Sequence, residues 1–300
     1  MFSWNWEPSI LIGLALQAGV YLACVGPLRR RFPGSAPVPA TQVQAFLLGV
    51  LVLFIALVSP VDTLAAVLLS SHMVQHLLIT MIAPPLLLLG TPRWLFRPLL
   101  RLPLALPIGR LLTNPIFTFA VFNLTFALWH APAYYDAALR SDAVHILEHA
   151  TMFVASALTW WPIFSPLDEL PSLPAPLQCL YLFFESIPPT ILGALITFSG
   201  GVLYPTYARA PRVWGIAPLD DQQLGGLNDH AQRGARAANH GGEDLECALR
   251  CGAGRRGRGR WGGWRCGKCW QRRGKCGNHY QEQRAYRSGT MLGATVGVRQ

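Results

Sequence analysis

Residues 64–89 read LAAVLLSSHMVQHLLITMIAPPLLLL, an apolar stretch that is long enough to cross a bilayer and carries two histidines. At a rise of about 1.5 Å per residue, roughly 20 apolar residues span the hydrocarbon core. Five further stretches meet or approach this length: Ile10–Val25, Ala45–Val58, Pro115–Trp129, Ala143–Phe164 and Leu177–Phe198. The sequence therefore predicts an all-α, polytopic helical bundle with six spans in a lipid bilayer.

The composition of the chain changes abruptly at residue 228. All 24 prolines and all 14 phenylalanines precede it, whereas residues 228–300 hold 15 Lys or Arg against 5 acidic residues and so carry the whole net charge of +10. A segment with few apolar residues can bury little surface against the entropy of ordering. We predict a transmembrane domain over residues 1–227 and a Gly/Arg/Cys-rich tail over 228–300 that is either disordered or the product of a shifted reading frame.

Two further interpretations of the tail stay open. Arginines interleave with tryptophans between residues 255 and 273, a pattern that suits RNA, and a zinc knuckle is also conceivable on Cys266, Cys269, Cys276 and His279. Residues 1–227, in contrast, balance 10 Arg against 10 acidic residues and contain no Lys. We therefore expect no nucleic-acid partner for this protein.

The arginines of the short loops predict the orientation of the chain. If the loop after the first span is cytoplasmic, the cytoplasmic loops hold seven arginines and the outer loops hold three. Positively charged loop residues are retained on the cytoplasmic side. The pattern therefore predicts a multi-pass protein with its N-terminus outside.

Five histidines precede residue 228, and this orientation places all of them in the outer half of the bilayer or near its midplane. Two pairs have the i, i+4 spacing that puts both side chains on one face of a helix, and the fifth histidine ends the span between them. Imidazoles on neighbouring helices can converge on one metal ion. The predicted metal ligands are His72, His76, His130, His145 and His149.

Ionisable residues inside a span are costly to insert and usually mark a bundle interior or a functional site. Metal or haem ligation is the leading interpretation of the two pairs, with a proton or hydrogen-bond relay and plain packing as alternatives. Residues 145–149, HILEH, also match the H-x-x-E-H pattern of one class of zinc peptidases. No catalytic acidic partner is obvious downstream of this motif, so we predict that the protein is not an enzyme and has no catalytic residues.

Several residues are predicted to support the site. Glu148 can orient an imidazole or face a polar cavity, and Met73 can offer a soft thioether to copper. Asp62, Asp220 and Asp221 are expected at the same membrane face. Imidazole with an optional thioether and no paired thiolates fits copper, while zinc and haem iron stay open.

An ordered series of motifs resembles the polytopic CtaG family of cytochrome c oxidase assembly factors over roughly residues 1–227. The motifs are SPVD at 59–62, SHMVQHLL at 71–78, APPLLLLG at 83–90, LWHAP at 128–132, HILEH at 145–149, WWPI at 160–163 and DDQQLGG at 220–226. The five histidines and Asp62 match the family's polar motifs. Members of the family continue into a seventh span after the last motif, where this sequence has the tail.

The resemblance implies a protein of the bacterial plasma (inner) membrane that supports copper delivery to a haem-copper oxidase, with cytochrome c oxidase subunits as partners. We therefore expect a non-enzymatic assembly factor that holds copper through its outer-face histidines. The alternative is a membrane haem-binding redox protein that uses the same histidine pairs. A metal-ion or small-molecule transporter is a weaker possibility, because the cytoplasmic half of the third span is apolar.

Overall fold

The computed structural model describes residues 3–32 and 34–227, and every regular element in these ranges is helical. The predictions made for residues 228–300, which are disorder, a shifted frame, RNA binding and zinc ligation, lie outside the described residues. The helices are α1 (Pro8–Val25), α2 (Ala40–Val58), α3 (Pro60–Ala65), α4 (Leu69–Leu77), α5 (Ala83–Gly90), α6 (Arg93–Leu100), α7 (Ala105–Leu112), α8 (Pro115–His130), α9 (Pro132–Arg140), α10 (Asp142–Phe164), α11 (Ala175–Thr197) and α12 (Pro205–Arg209). Residues 218–227 form a further helical segment.

The structure confirms an all-α bundle with membrane-spanning helices. Four units in the described part of the chain are long and apolar enough to cross a bilayer, namely α1, α2, the continuous unit Leu69–Gly90 and α11. The pair α7 and α8, bent by 63°, makes a fifth if it counts as one span. The remaining predicted span corresponds to α10, whose 23 residues suffice in length. It is not among the apolar units, because its histidines and Glu148 reduce its hydropathy.

Small residues let α2 and α5 pack closely. A Cβ atom on Gly90 would lie 2.4 Å from the Phe46 backbone nitrogen, and one on Gly49 would lie 2.8 Å from the Leu87 side chain. Tyr21 on α1 stacks on Phe46 with ring centroids 3.7 Å apart and donates a hydrogen bond to the Gly90 carbonyl at 2.8 Å. These contacts bind α1, α2 and α5 into one apolar layer, and the α4 segment is continuous with α5.

Between α4 and α5, residues Leu78–Ile82 form a π-helical turn. Pro84 has no N–H to give to the carbonyl of Thr80, four residues earlier, and an exposed carbonyl in a bilayer is costly. The Ser156 hydroxyl and the Trp160 indole N–H, at 2.9 Å, both donate to that carbonyl from α10. The freed backbone group therefore fixes α10 against the segment that follows His76.

The N-terminus of α4 is capped from a distant part of the chain. Leu68 occupies the position before the helix and has no side chain that can accept a hydrogen bond. Instead, the carboxylate of Asp221 accepts from the backbone N–H of Leu69 at 2.6 Å and of Ser70 at 3.3 Å, and from the Ser70 hydroxyl at 2.5 Å. A negative charge at this end also interacts favourably with the helix dipole.

The DDQQLGG motif has a structural explanation in this cap. Gly225 lies against the backbone of Leu69 and Ser70, and a Cβ atom on Gly226 would lie 2.2 Å from the Thr197 hydroxyl. The glycines therefore let segment 218–227 approach α4 and α11 closely enough for Asp221 to reach the helix terminus.

Replacing Asp221 by alanine is expected to lower the free energy of unfolding by about 1–2 kcal/mol, because the first N–H groups of α4 lose their acceptor. Thermal unfolding of the protein in detergent measures the effect. Asp220 is exposed, so Asp220→Ala is the matched control and should leave the melting temperature unchanged. Equal shifts in the two variants would contradict the capping role.

Candidate metal centre

The two histidine pairs face each other across the contact between α4 and α10. Within the pairs, the ring centroids lie 4.3 Å apart for His72 and His76 and 4.2 Å apart for His145 and His149. Between the helices, the His72 ring lies 5.9 Å from the His145 ring, and the His76 ring lies 5.5 Å from the His149 ring. The helical spacing in the sequence and the parallel course of α4 and α10 thus bring four imidazoles together.

His130 reaches the same cluster from the end of α8. Its ring centroid lies 5.8 Å from that of His76, and its side chain is buried. The Nδ1 atom is 2.7 Å from the carbonyl oxygen of Phe126, one turn earlier. A carbonyl can only accept, so Nδ1 carries the proton and Nε2 carries the lone pair that a metal would need.

Glu148 is fully buried between the pairs, at 0% exposure. Its Oε1 atom lies 3.7 Å from His72 Nε2 and 3.5 Å from His76 Nε2. One donor atom each from His72, His145, Glu148 and His149 lies within 4.8 Å of all the others. Ligand atoms around one ion with bonds of about 2.0–2.2 Å are at most about 4 Å apart, so a small inward movement would complete such a set.

The closest approach in the cluster is between the Nε2 atoms of His72 and His76, at 2.8 Å. Two nitrogens bound at about 2.0 Å and at a right angle are about 2.8 Å apart, the spacing of neighbouring ligands in a square-planar copper site. An N–H···N hydrogen bond has the same length. The pair is therefore compatible both with a metal-free site and with a site that holds a cation.

Several buried donor atoms of the cluster have no hydrogen-bond partner among the described residues. They are Nδ1 of His76, Nε2 of His145, Nε2 of His149 and both carboxylate oxygens of Glu148. A buried polar group without a partner costs free energy, and an uncompensated carboxylate costs most. A cation held by these nitrogens and oxygens would remove that cost. The residues present therefore fit a transition-metal ion.

Tyrosines from α9 and from the start of α12 cover one side of the cluster. The Tyr207 hydroxyl donates to the Ala65 carbonyl at 2.7 Å and lies 3.4 Å from His72 Nδ1. The Tyr207 hydroxyl has given its one proton to the Ala65 carbonyl, so it accepts from Nδ1–H of His72. The lone pair of the His72 ring is therefore on Nε2. Tyr135 and Tyr204 complete the cover, since Tyr135 lies 3.2 Å from the Tyr207 hydroxyl and Tyr204 donates to the His130 carbonyl at 3.0 Å.

The tyrosines were not predicted from the sequence. Nothing in their spacing indicates a contact with His72, because α9 and α12 reach α4 only through the tertiary fold. Burial raises the pKa of Tyr207 and of Tyr135 well above the usual range. Both therefore stay neutral phenols that can donate hydrogen bonds.

The structure places the remaining predicted site residues around the cluster and outside its group of donor atoms. The carboxylate of Asp62 accepts from Gln75 on α4 and from Asn5, each at 2.8 Å. Met73 is buried in an apolar cluster with Leu69, Tyr135, Ile196, Tyr204 and Tyr207. Asp221 caps α4, and Asp220 is exposed.

The family model described as cytochrome c oxidase caa3 assembly factor (Caa3_CtaG) matches residues 19–228. The chain belongs to this family. The match contains all five histidines, Glu148 and the capping Asp221, and it ends where the composition changes. It confirms the resemblance drawn from the motifs. Comparison with curated proteins and with solved structures gave no match.

Replacing Glu148 by glutamine is expected to weaken metal binding without lowering the stability of the metal-free protein. In the metal-free protein the variant removes a buried charge without a hydrogen-bond partner, so the melting temperature should be unchanged or higher. With copper added, stabilisation by the metal should be much smaller than in the wild type. A variant that loses stability without metal and keeps its response to copper would contradict a ligand role.

Tyr207→Phe is expected to weaken copper binding by about 10- to 100-fold, because His72 loses the partner that orients its ring. Competition with a chromophoric chelator measures the dissociation constant. Tyr134 is exposed, so Tyr134→Phe is the matched control and should bind copper as the wild type does. Unchanged binding in Tyr207→Phe would show that His72 needs no such support.

Proposed function

We propose that this member of the oxidase assembly family binds copper at the histidine–glutamate cluster and supports its delivery to cytochrome c oxidase, without catalysing a reaction. Family membership supports the assembly role. The observation that carries the copper proposal is the convergence of buried donor atoms from α4 and α10 that lack hydrogen-bond partners among the described residues. Copper is the cargo in this proposal.

The donor set favours copper over the alternatives. Imidazole nitrogens with one carboxylate suit copper and zinc, and copper(II) binds such sites more tightly than the other divalent ions of its series. The single negative charge of Glu148 would offset part of the charge of the cation in a medium of low dielectric constant. The proposed ligands are drawn from His72, His76, His145, His149 and Glu148, with His130 at the edge of the set.

The alternative function, a haem-binding redox protein, fits the geometry less well. A porphyrin needs a flat slot between opposed imidazoles. In the structure, Glu148 fills the space between His72 and His76 on one side and the α10 histidines on the other. A single metal ion needs only a small inward movement of the side chains, whereas a haem would need α4 and α10 to separate.

We also propose that the cluster and the N-terminus face the outside of a bacterial plasma membrane. The unit Leu69–Gly90 carries His72 and His76 near its first end, and Arg93 and Arg97 follow its last end. The histidines and the arginine-rich loops therefore lie at opposite ends of this span. Retention of arginine on the cytoplasmic side supports the orientation, and an outward-facing site would suit the receipt of copper from outside the cell.

The double variant His72→Ala/His76→Ala is expected to lose copper and to leave the oxidase without its copper. Metal analysis of the purified protein and the copper content of the oxidase in cells that carry the variant measure the two effects. Met73→Leu is the matched control on the same helix, because Met73 packs in the apolar cluster. It should retain both functions.

Normal oxidase copper in the double variant, with the protein stably inserted, would contradict the proposal. An optical spectrum of the wild type separates the alternative. About one copper per chain without a Soret band supports the copper proposal, whereas a Soret band from extractable haem would favour the redox protein.

A further inference from the structure

Helices α6 and α7 form an amphipathic pair at the end of the bundle remote from the histidines. Each has eight residues, so each is about 12 Å long and too short to cross the membrane. Asn114 caps α8 by accepting from the N–H groups of Ile116 and Phe117, and α7 leaves the α8 axis at 63°. Helix α7 therefore turns away from the span that follows it.

The pair exposes a series of large apolar side chains. Five of them are more than half exposed: Leu99, Leu102, Leu104, Ile108 and Leu111. Leu104, the most exposed at 69%, stands between the helices with a φ of 70°, in the left-handed region that side chains other than glycine rarely adopt. A leucine exposed to this extent is costly in water, and that cost is removed if its side chain enters lipid.

Arginines surround this apolar surface. Arg93 forms an ion pair with both carboxylate oxygens of Asp168, at 2.9 and 2.7 Å. The exposed side chains of Arg97, Arg101 and Arg110, in contrast, form no hydrogen bond or ion pair within residues 3–32 and 34–227. Their guanidinium groups are available for an external anion.

A second loop adds to the same surface. Phe32 contacts Trp94 on α6 with ring centroids 5.3 Å apart, and a Cβ atom on Gly34 would lie 3.7 Å from the Arg97 guanidinium. These contacts place the turn Arg29–Arg31 beside α6. Seven arginines from the two loops thus lie at this end of the bundle, together with the acidic residues Asp168 and Glu169.

We propose that α6 and α7 lie in the interface of the membrane leaflet at this end and bind the phosphate groups of anionic phospholipids through Arg97, Arg101 and Arg110. Amphipathic helices of this composition lie in the membrane plane with their apolar face about 5–10 Å below the headgroups. Guanidinium groups match phosphate oxygens in a two-point contact. The inference does not depend on the metal centre.

The test compares two lipids on the full chain in mild detergent. Binding of dioleoyl phosphatidylglycerol and of dioleoyl phosphatidylcholine is followed by native mass spectrometry. The wild type should prefer phosphatidylglycerol, and the variant Arg101→Gln/Arg110→Gln should bind it roughly tenfold more weakly. The control Arg140→Gln/Arg209→Gln removes the two exposed arginines that end α9 and α12, of which Arg140 pairs with Asp136, and should keep the wild-type preference. The basic residues of 228–300 are common to all three proteins and cancel in the comparison.

Two outcomes would overturn the proposal. Equal affinity of the wild type for the two lipids would show that the arginines do not select an anionic headgroup. An acidic protein would then be the alternative ligand for these arginines. An equal loss of phosphatidylglycerol binding in both double variants would show a dependence on overall charge and no site at α6 and α7. A preference that weakens in 0.5 M salt in the wild type and is already weak in Arg101→Gln/Arg110→Gln supports the site.

Discussion

Pro84 leaves the carbonyl of Thr80 without its helical hydrogen bond, and the apolar surroundings of this segment give that carbonyl no water to bind. Ser156 and Trp160 on α10 supply the missing donors. This contact sets the register between the unit Leu69–Gly90 and α10, because Thr80 lies one turn after His76 and Ser156 lies two turns after His149. Because of that register, His72 and His76 face His149 and Glu148.

The opposite end of α4 is also held from outside the helix. Asp221 replaces a local cap, and Asp62 accepts from Gln75, which lies between His72 and His76 in the sequence. Helix α4 is the first part of the continuous unit Leu69–Gly90, and these contacts hold it at its start and along its length. Its position therefore depends on groups contributed by distant segments, and the motif at residues 220–226 stabilises the site without belonging to the proposed ligand set.

The histidine–glutamate cluster lowers the stability of the fold when no metal is bound. The carboxylate of Glu148 and several buried imidazole nitrogens have no hydrogen-bond partner within the described part of the chain, which is costly, and a bundle selected for stability alone would replace these groups by apolar side chains. Their presence is consistent with the binding of a cation. A bound cation would offset the free energy of burying these groups, so the stability of the bundle would depend on metal. The arginine-rich end at α6 and α7 does not carry this burial cost, because its charges are exposed and its apolar residues can enter the lipid.

The sequence by itself determined the helical class, most of the membrane-spanning helices and the two histidine pairs, because length, hydropathy and i, i+4 spacing are local properties of the chain. It also indicated Glu148, which lies one residue from His149 and one turn from His145. It further predicted that the pairs converge, and the tertiary structure places them face to face. Only the tertiary structure decided that Tyr207 contacts His72. The same holds for the cap by Asp221, for Met73 in an apolar cluster and for α7 turning from α8. These features depend on contacts between segments up to 152 residues apart, and no local pattern encodes such contacts.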